Sequence, residues 1–230
     1  MAVGYRENEE LNGFDPYSNS KSCSELVTIS YINSFFTDKE YQKLYSTPAP
    51  AVSTCRARNV IGGGDFSTDR IIPDCIRAVE MGKEIVVRNP HSTRPYQHVL
   101  EPIMAYLMIA KAQFEDRSLA GCYNIGPDES DCWTTGELVQ LFCDKWNNAT
   151  DSGKYPAMNK VSWLNKSDGG PHEASFLKLD CSKIKTTFGW RPVWNIETTM
   201  GKIVEWSATY LNGGDVAKIM EKQIREYLST

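Results

Sequence analysis

The chain has 230 residues, 41% of them hydrophobic and 23% charged, with a formal net charge of −4 at pH 7. That is ordinary for a soluble globular protein of one or two domains, and the acidic balance excludes a general nucleic-acid binder. An anionic ligand therefore needs a local cluster of basic residues. No apolar run is long enough to span a bilayer, and the first residues lack the apolar stretch of a signal peptide. Seven cysteines, an odd number without paired spacing, predict reduced thiols in a cytoplasmic protein. The absence of Cys-x-x-Cys or a His-rich tract predicts no metal site.

Residues 1–14 read as a lead-in loop. Asp15-Pro16 then opens a helix to about Phe36, with Asp15 as N-cap and Pro16 at the first helical position. Tyr17 and Lys21, four residues apart, share one face of it. A lysine ammonium beside a phenol favours the phenolate and suits acid–base work. The plainer reading is a solvated surface pair. Leu26, Ile29, Ile32 and Phe36 line one side of this helix, and Cys23, Val27, Tyr31 and Phe35 another. Two stripes predict burial on two sides, against a sheet and against a partner helix.

A polar stretch and Thr47-Pro48-Ala49-Pro50 lead to a predicted strand over Ala51–Ala57. Its exit, Arg56-Ala57-Arg58-Asn59-Val60-Ile61-Gly62-Gly63-Gly64-Asp65, carries a glycine triplet. Such a triplet permits close backbone approach to a ligand, or simply a tight turn. It is neither G-x-G-x-x-G nor a Walker sequence. Further strands are predicted over Glu84–Arg88, Tyr96–Val99, Gly121–Ile125 and Val161–Leu164, with loops at Asn89–Pro95 and 147–160. Helices are expected at Ile71–Met81 and from Pro102, the latter burying Ile103, Tyr106, Leu107 and Ala110. The capping box Thr134-x-x-Glu137 starts a helix to Trp146. Asp180 caps a short helix, Asn195 caps one over Ile196–Leu211, and a last amphipathic helix follows Gly213-Gly214. Helices alternating with short strands give an α/β class.

Several separate motifs, in order, then carry a resemblance. Tyr17-x-x-x-Lys21, the Arg56–Asp65 segment, Asp69-Arg70-Ile71-Ile72-Pro73-Asp74, Arg88-Asn89-Pro90-His91 and Arg94-Pro95-Tyr96-Gln97-His98-Val99-Leu100-Glu101-Pro102 are five of them. Pro171-His172-Glu173-Ala174 and Leu177-Lys178-Leu179-Asp180-Cys181-Ser182-Lys183 are two more. Together they resemble the extended short-chain dehydrogenase/reductases (NAD-dependent epimerase/dehydratases), and within them the branch that dehydrates CDP-glucose. The resemblance implies a partial Rossmann-like doubly wound parallel sheet with a smaller carboxyl-terminal substrate-binding α/β subdomain. Residues 1–65 would belong to the NAD-binding domain and 66–230 mainly to the nucleotide-sugar subdomain, with 96–126 returning to the Rossmann core. The family's G-x-x-G-x-x-G turn, which holds the NAD pyrophosphate at a helix N-terminus, does not occur in these 230 residues. The sequence thus resembles the carboxyl-terminal portion of a truncated enzyme, inactive by itself.

The family reaction implies roles. Hydride leaves C4 of the sugar for NAD, water is lost across C5 and C6, and hydride returns to C6. Tyr17 would be the base at the C4 hydroxyl and Lys21 would hold the nicotinamide ribose. Asn59 would donate to the substrate diphosphate, its alternative being a turn-forming Asn. Arg58 replaces a usual glycine beside the cofactor, where it either crowds the site or points away. Arg94 would grip the nucleotide phosphates with its planar fork, Arg70 would approach them, and Arg88 would lie on the cytosine. A solvated arginine is the alternative for each. His172 and Glu173 fall where the family closes over the nucleotide. His98 and Glu101 read as structural. The first helix implies a homodimer across a two-fold. The competing class is a non-catalytic nucleotide-sugar-binding or dimerisation module, and a sibling dehydratase or epimerase is the nearer alternative.

Overall fold

A computed structural model describes residues 4–155, 158–166 and 178–230, without the side chain of residue 40. The elements in chain order are α1 (Pro16–Phe35), α2 (Asp38–Leu44), β1 (Thr54–Ala57), β2 (Val60–Ile61), α3 (Ile71–Glu80), β3 (Ile85–Val87), β4 (Thr93–Pro95), β5 (Gln97–His98) and α4 (Leu100–Glu115). There follow β6 (Cys122–Ile125), β7 (Cys132–Thr134), α5 (Thr135–Asp151), β8 (Trp163–Asn165), α6 (Ser182–Phe188), α7 (Ile196–Leu211) and α8 (Val216–Leu228). Strands pair in twos: β1 with β6, β2 with β5, β3 with β8 and β4 with β7. The β2–β5 and β3–β8 pairs are parallel and β4–β7 is antiparallel.

The chain divides into two compact units, the first of residues 1–56, 104–125 and 179–190, the second of 57–103, 126–178 and 191–230. The second holds the principal apolar core. There Ile72 and Ile76 of α3, Leu138, Phe142 and Trp146 of α5, and Met200 and Ile203 of α7 are buried together. Phe142 and Trp146, one turn apart, stack at 5.6 Å between ring centroids. In the first unit the buried residues include Ala105, Ile109, Tyr123, Ile125 and Ile184.

Helix ends follow the side chains that satisfy their free N–H groups. Asp15 accepts from Ser18 N, Asn195 from Thr198 N and Asp215 from Lys218 N. Thr134 and Glu137 form the reciprocal capping box. α5 nevertheless runs past Trp146 to Asp151, through residues expected as loop. Their polarity has another cause: Asn147 exchanges hydrogen bonds with the backbone of Val161, and Trp146 Nε1 donates to Asn159 O. The cap of α6 is Cys181, one residue later than expected, while Asp180 still accepts from Ser182 N at 2.8 Å. α4 starts at Leu100, ahead of Pro102, which a helix tolerates because first-turn N–H groups have no intrahelical partner.

Two expected faces differ from the structure. Ile103, Tyr106, Leu107 and Ala110 are exposed, and α4 instead buries Glu101, Ala105 and Ile109 at i, i+4, i+8. The small Ala105 and the hydrogen-bonded Glu101 select that face, which an apolar pattern does not show. No residue of α1 is buried. Of its two stripes only Ile32, with Phe36 at its C-cap, is partly covered. Among the described residues the first unit supplies the two-stranded β1–β6 pair and a Tyr5–Leu179 bridge, too little sheet to cover a 20-residue helix.

Candidate active site

In the first unit, Tyr17 lies in the first turn of α1, 69% exposed. The turn is built tightly: Asp15 Oδ1 accepts from Ser18 N (2.9 Å) and Oδ2 from Ser18 Oγ (2.6 Å), and Ser20 Oγ donates to Tyr17 O at 2.6 Å. Lys21 Nζ sits 5.3 Å from the centroid of the Tyr17 ring, so the expected shared face is realised. An ammonium over a phenol face is an attractive arrangement, worth about 0.5–1 kcal/mol when exposed.

Two turns on, Glu25 anchors α1 to β1. Arg56 Nη2 donates to Glu25 Oε1 (2.6 Å) and Nε to Oε2 (2.8 Å), a bidentate fork. Arg56 also donates to the carbonyls of Arg6 and Glu7. The Arg56 hydrogen bond holds the Glu25 carboxyl below its usual value against the opposing effect of burial. Sequence reading assigned neither residue a role. A strand arginine and a helix glutamate 31 positions apart have no local spacing to reveal them.

In the second unit, Asn59 precedes β2 with φ 41°, a left-handed backbone that Asn tolerates better than most residues. β2 pairs with β5 in register Val60↔Gln97 and Ile61↔His98. Gln97 Nε2 donates to Arg58 O and Gln97 N to Asn59 O, each at 3.3 Å. The glycine triplet has a packing reason. A Cβ on Gly63 would run into the Trp206 indole, and Gly64 has φ +82°. Trp206 stacks on Tyr210 at 5.4 Å, with Phe66 5.3 Å from Tyr210.

The predicted arginines lie on separate elements of the second unit. Arg70 is exposed and occupies the N-cap of α3 on extended backbone. Arg88 Nη2 meets Asp69 Oδ1 at 3.0 Å, which brings it beside the residue next to Arg70. Arg94, half-buried on β4 opposite Trp133, donates to Thr93 O at 3.2 Å. Arg77, which sequence reading passed over, pins the loop by donating to Phe66 O and Ser67 O. His172 and Glu173 lie outside the described residues. A cleft of about 570 Å³ between α5 and α7 is lined by none of these residues.

His98 and Glu101 are structural. His98 is 3% exposed, accepts from Leu100 N through Nδ1, and packs edge-on to Trp194 at 4.8 Å. Burial, with the charge of Lys202, lowers its pKa to about 4, so it is neutral. Glu101 is wholly buried and accepts from Val193 N, Trp194 N (2.8 Å) and Tyr227 Oη (2.8 Å). Burial raises its pKa against these donors.

Residues 1–203 match the profile of the family described as GDP-mannose 4,6 dehydratase. The chain belongs to that family. It is 39% identical over 227 residues to the CDP-glucose 4,6-dehydratase of Salmonella typhimurium strain LT2, covering 98% of this chain and 59% of that relative. Among solved structures it resembles the dTDP-glucose 4,6-dehydratase of Streptomyces venezuelae with NAD and TYD bound: TM-score 0.67, 18% identity, 94% of this chain and 57% of that one. It also resembles the UDP-N-acetylglucosamine 4-epimerase of Methanobrevibacter ruminantium M1: TM-score 0.66, 18% identity, 89% of this chain and 57% of that one. At such identities the likeness establishes the fold, which is α/β and Rossmann-like. The chain thus spans under two thirds of the relatives it matches. Among the described residues no helix is long and apolar enough to cross a membrane.

Proposed function

We propose that this chain is the Tyr-Lys and substrate-binding portion of an NAD-dependent dehydratase that converts CDP-glucose to CDP-4-keto-6-deoxyglucose, and that it does not turn over by itself. The observation that carries this reading is the 39% identity to a CDP-glucose 4,6-dehydratase across 98% of the chain. Residues 1–65 and 96–126 would serve the cofactor as part of a Rossmann domain, and 66–230 mainly the nucleotide sugar.

The donor set of α1 fits the nicotinamide-ribose end of NAD. A phenol and an ammonium are both exposed on one face, and among the described residues no carboxylate pairs with Lys21. When bound, NAD supplies the hydride acceptor. Loss of hydride from C4 requires a forming carbonyl, so Tyr17 takes the C4 hydroxyl proton while Lys21 holds the ribose hydroxyls. Arg58 is read as a further cofactor-binding residue. Asn59 donates to the diphosphate, Arg94 and Arg70 neutralise it, and Arg88 stacks on the base. The same resemblance assigns His172 and Glu173 to the nucleotide. Seven cysteines, an odd number without paired framework spacing, support a reducing, cytoplasmic setting. The exposed apolar side of α1 supports a homodimer through the Tyr17–Phe36 helix.

A second reading, a non-catalytic nucleotide-sugar-binding or dimerisation module, would account for the outward apolar side of α1 without a cofactor. Calorimetric titration of the 230-residue chain separates the two. Heat is expected with CDP and with CDP-glucose above its dTDP-, GDP- and UDP- counterparts, and none with NAD. No CDP heat sinks the substrate reading and leaves a dimerisation module. A 4-keto sugar formed by this chain with NAD overturns the claim that it is inactive.

A further inference from the structure

Gln97 is 1% exposed, between the buried Tyr96 and His98. A buried strand position is ordinarily filled by a β-branched or aromatic residue. As a ladder residue Gln97 needs only its backbone. Its N–H donates to Asn59 O (3.3 Å), and its side-chain Nε2 donates to Arg58 O (3.3 Å). One residue therefore holds both carbonyls of the turn in which Asn59 sits at φ 41°. A non-glycine residue in that region persists where its surroundings over-determine it. The far end of the segment is fixed separately. Val99 N donates to Ile61 O at 2.9 Å, and Gly63 lies against Trp206. Gln97 acts at the end that carries Asn59.

We propose that Gln97 is a positioning residue for nucleotide-diphosphate recognition. Its side-chain amide fixes the Arg58–Asn59 peptide so that the Asn59 side chain is presented to the diphosphate before the ligand arrives. Such preorganisation lowers the ordering cost of binding. The inference rests on the reading of Asn59 as a diphosphate contact.

The test is calorimetric titration of the 230-residue chain with CDP and with CMP, for the wild type, Asn59→Ala, Gln97→Met and the double variant. Met keeps the length of Gln and removes the amide donor. Asn59→Ala is expected to weaken CDP about tenfold and CMP far less, Gln97→Met to do most of the same with little change in melting temperature, and the double variant to match Asn59→Ala. A purely structural Gln97 would shift the melt without changing the preference for CDP over CMP. Wild-type CDP affinity in Gln97→Met, with Asn59→Ala weakened, overturns this inference alone. So do effects that multiply independently in the double variant. Wild-type affinity in Asn59→Ala, or no CDP binding by the wild type, removes the Asn59 reading and this inference with it. If Gln97→Met does not fold, Gln97→Leu takes its place. That variant also removes the amide donor, and unchanged CDP affinity in it is equally fatal.

Discussion

α7 and α1 treat their apolar residues in opposite ways. α7 buries Ile196, Met200, Ile203, Val204, Trp206 and Ala208 along one face. α1 buries nothing, and its partly covered positions Ser18, Ser22, Glu25, Thr28 and Ile32 are mostly polar. Leu26, Val27, Tyr31 and Phe35 face outward instead, each at least 50% exposed. A helical apolar period thus identifies a face without saying what covers it. In the second unit the cover is the chain itself. In the first unit no such cover is seen among the described residues, and the proposed homodimer would supply one.

The largest contrast should come from a buried residue near α7. Glu101→Ala leaves Val193 N, Trp194 N and Tyr227 Oη without their acceptor in a wholly buried place. Loss of about 3–5 kcal/mol is expected in denaturant unfolding, which would unfold many domains. Tyr17→Phe, at a 69% exposed position of α1, should change stability by less than about 0.5 kcal/mol. Comparable losses from the two substitutions would break the distinction between the helices.

Legibility followed the range of the physics. The caps Asp15, Thr134 with Glu137, and Asn195 were readable because each acts within three residues of the group it satisfies. The shared face of Tyr17 and Lys21 was readable for the same reason. Burial was not, because it depends on which surfaces meet. Ile103, Tyr106 and Leu107 have apolar spacing yet are exposed, whereas Glu101 is charged in sequence and buried in fact. Arg56, Arg77 and Gln97 act on partners reached by folding, at separations of 31, 10 and 39 residues respectively. Gly63 shows the intermediate case. The triplet announced close approach, but the approaching group is the Trp206 ring.

A smaller effect separates the inner and outer sides of α1. The Arg56 fork depresses the Glu25 carboxyl in the folded state below its reference of 4.5. Its contribution is therefore complete above the unfolded value and is lost as pH falls through the folded one. Glu25→Gln should cost about 1–2 kcal/mol near neutral pH, because the charge-assisted pair is only partly buried. The loss should shrink as pH falls below the reference of 4.5 and vanish once the pH is under the lowered folded value, where the wild-type carboxylate is also protonated. A pH-independent difference between the two proteins would mean that Glu25 acts by packing rather than charge.

The smallest effect on stability should accompany the clearest change in association. Leu26 and Leu107 are 50% and 61% exposed, so Leu26→Asp and Leu107→Asp remove little that the folded chain buries. Each should alter the unfolding free energy of the dissociated chain by less than about 0.5 kcal/mol. In a dimer that pairs α1 and the exposed apolar side of α4 with their copies, the same residues would be covered, and a buried unpaired carboxylate is strongly unfavourable. Sedimentation should therefore show the wild type as a dimer and the double variant as a folded monomer. A wild-type monomer at all concentrations would remove the partner from the account, leaving the outward apolar face of α1 without a cover. A dimer that survives both aspartates would keep the partner and move the interface off these helices.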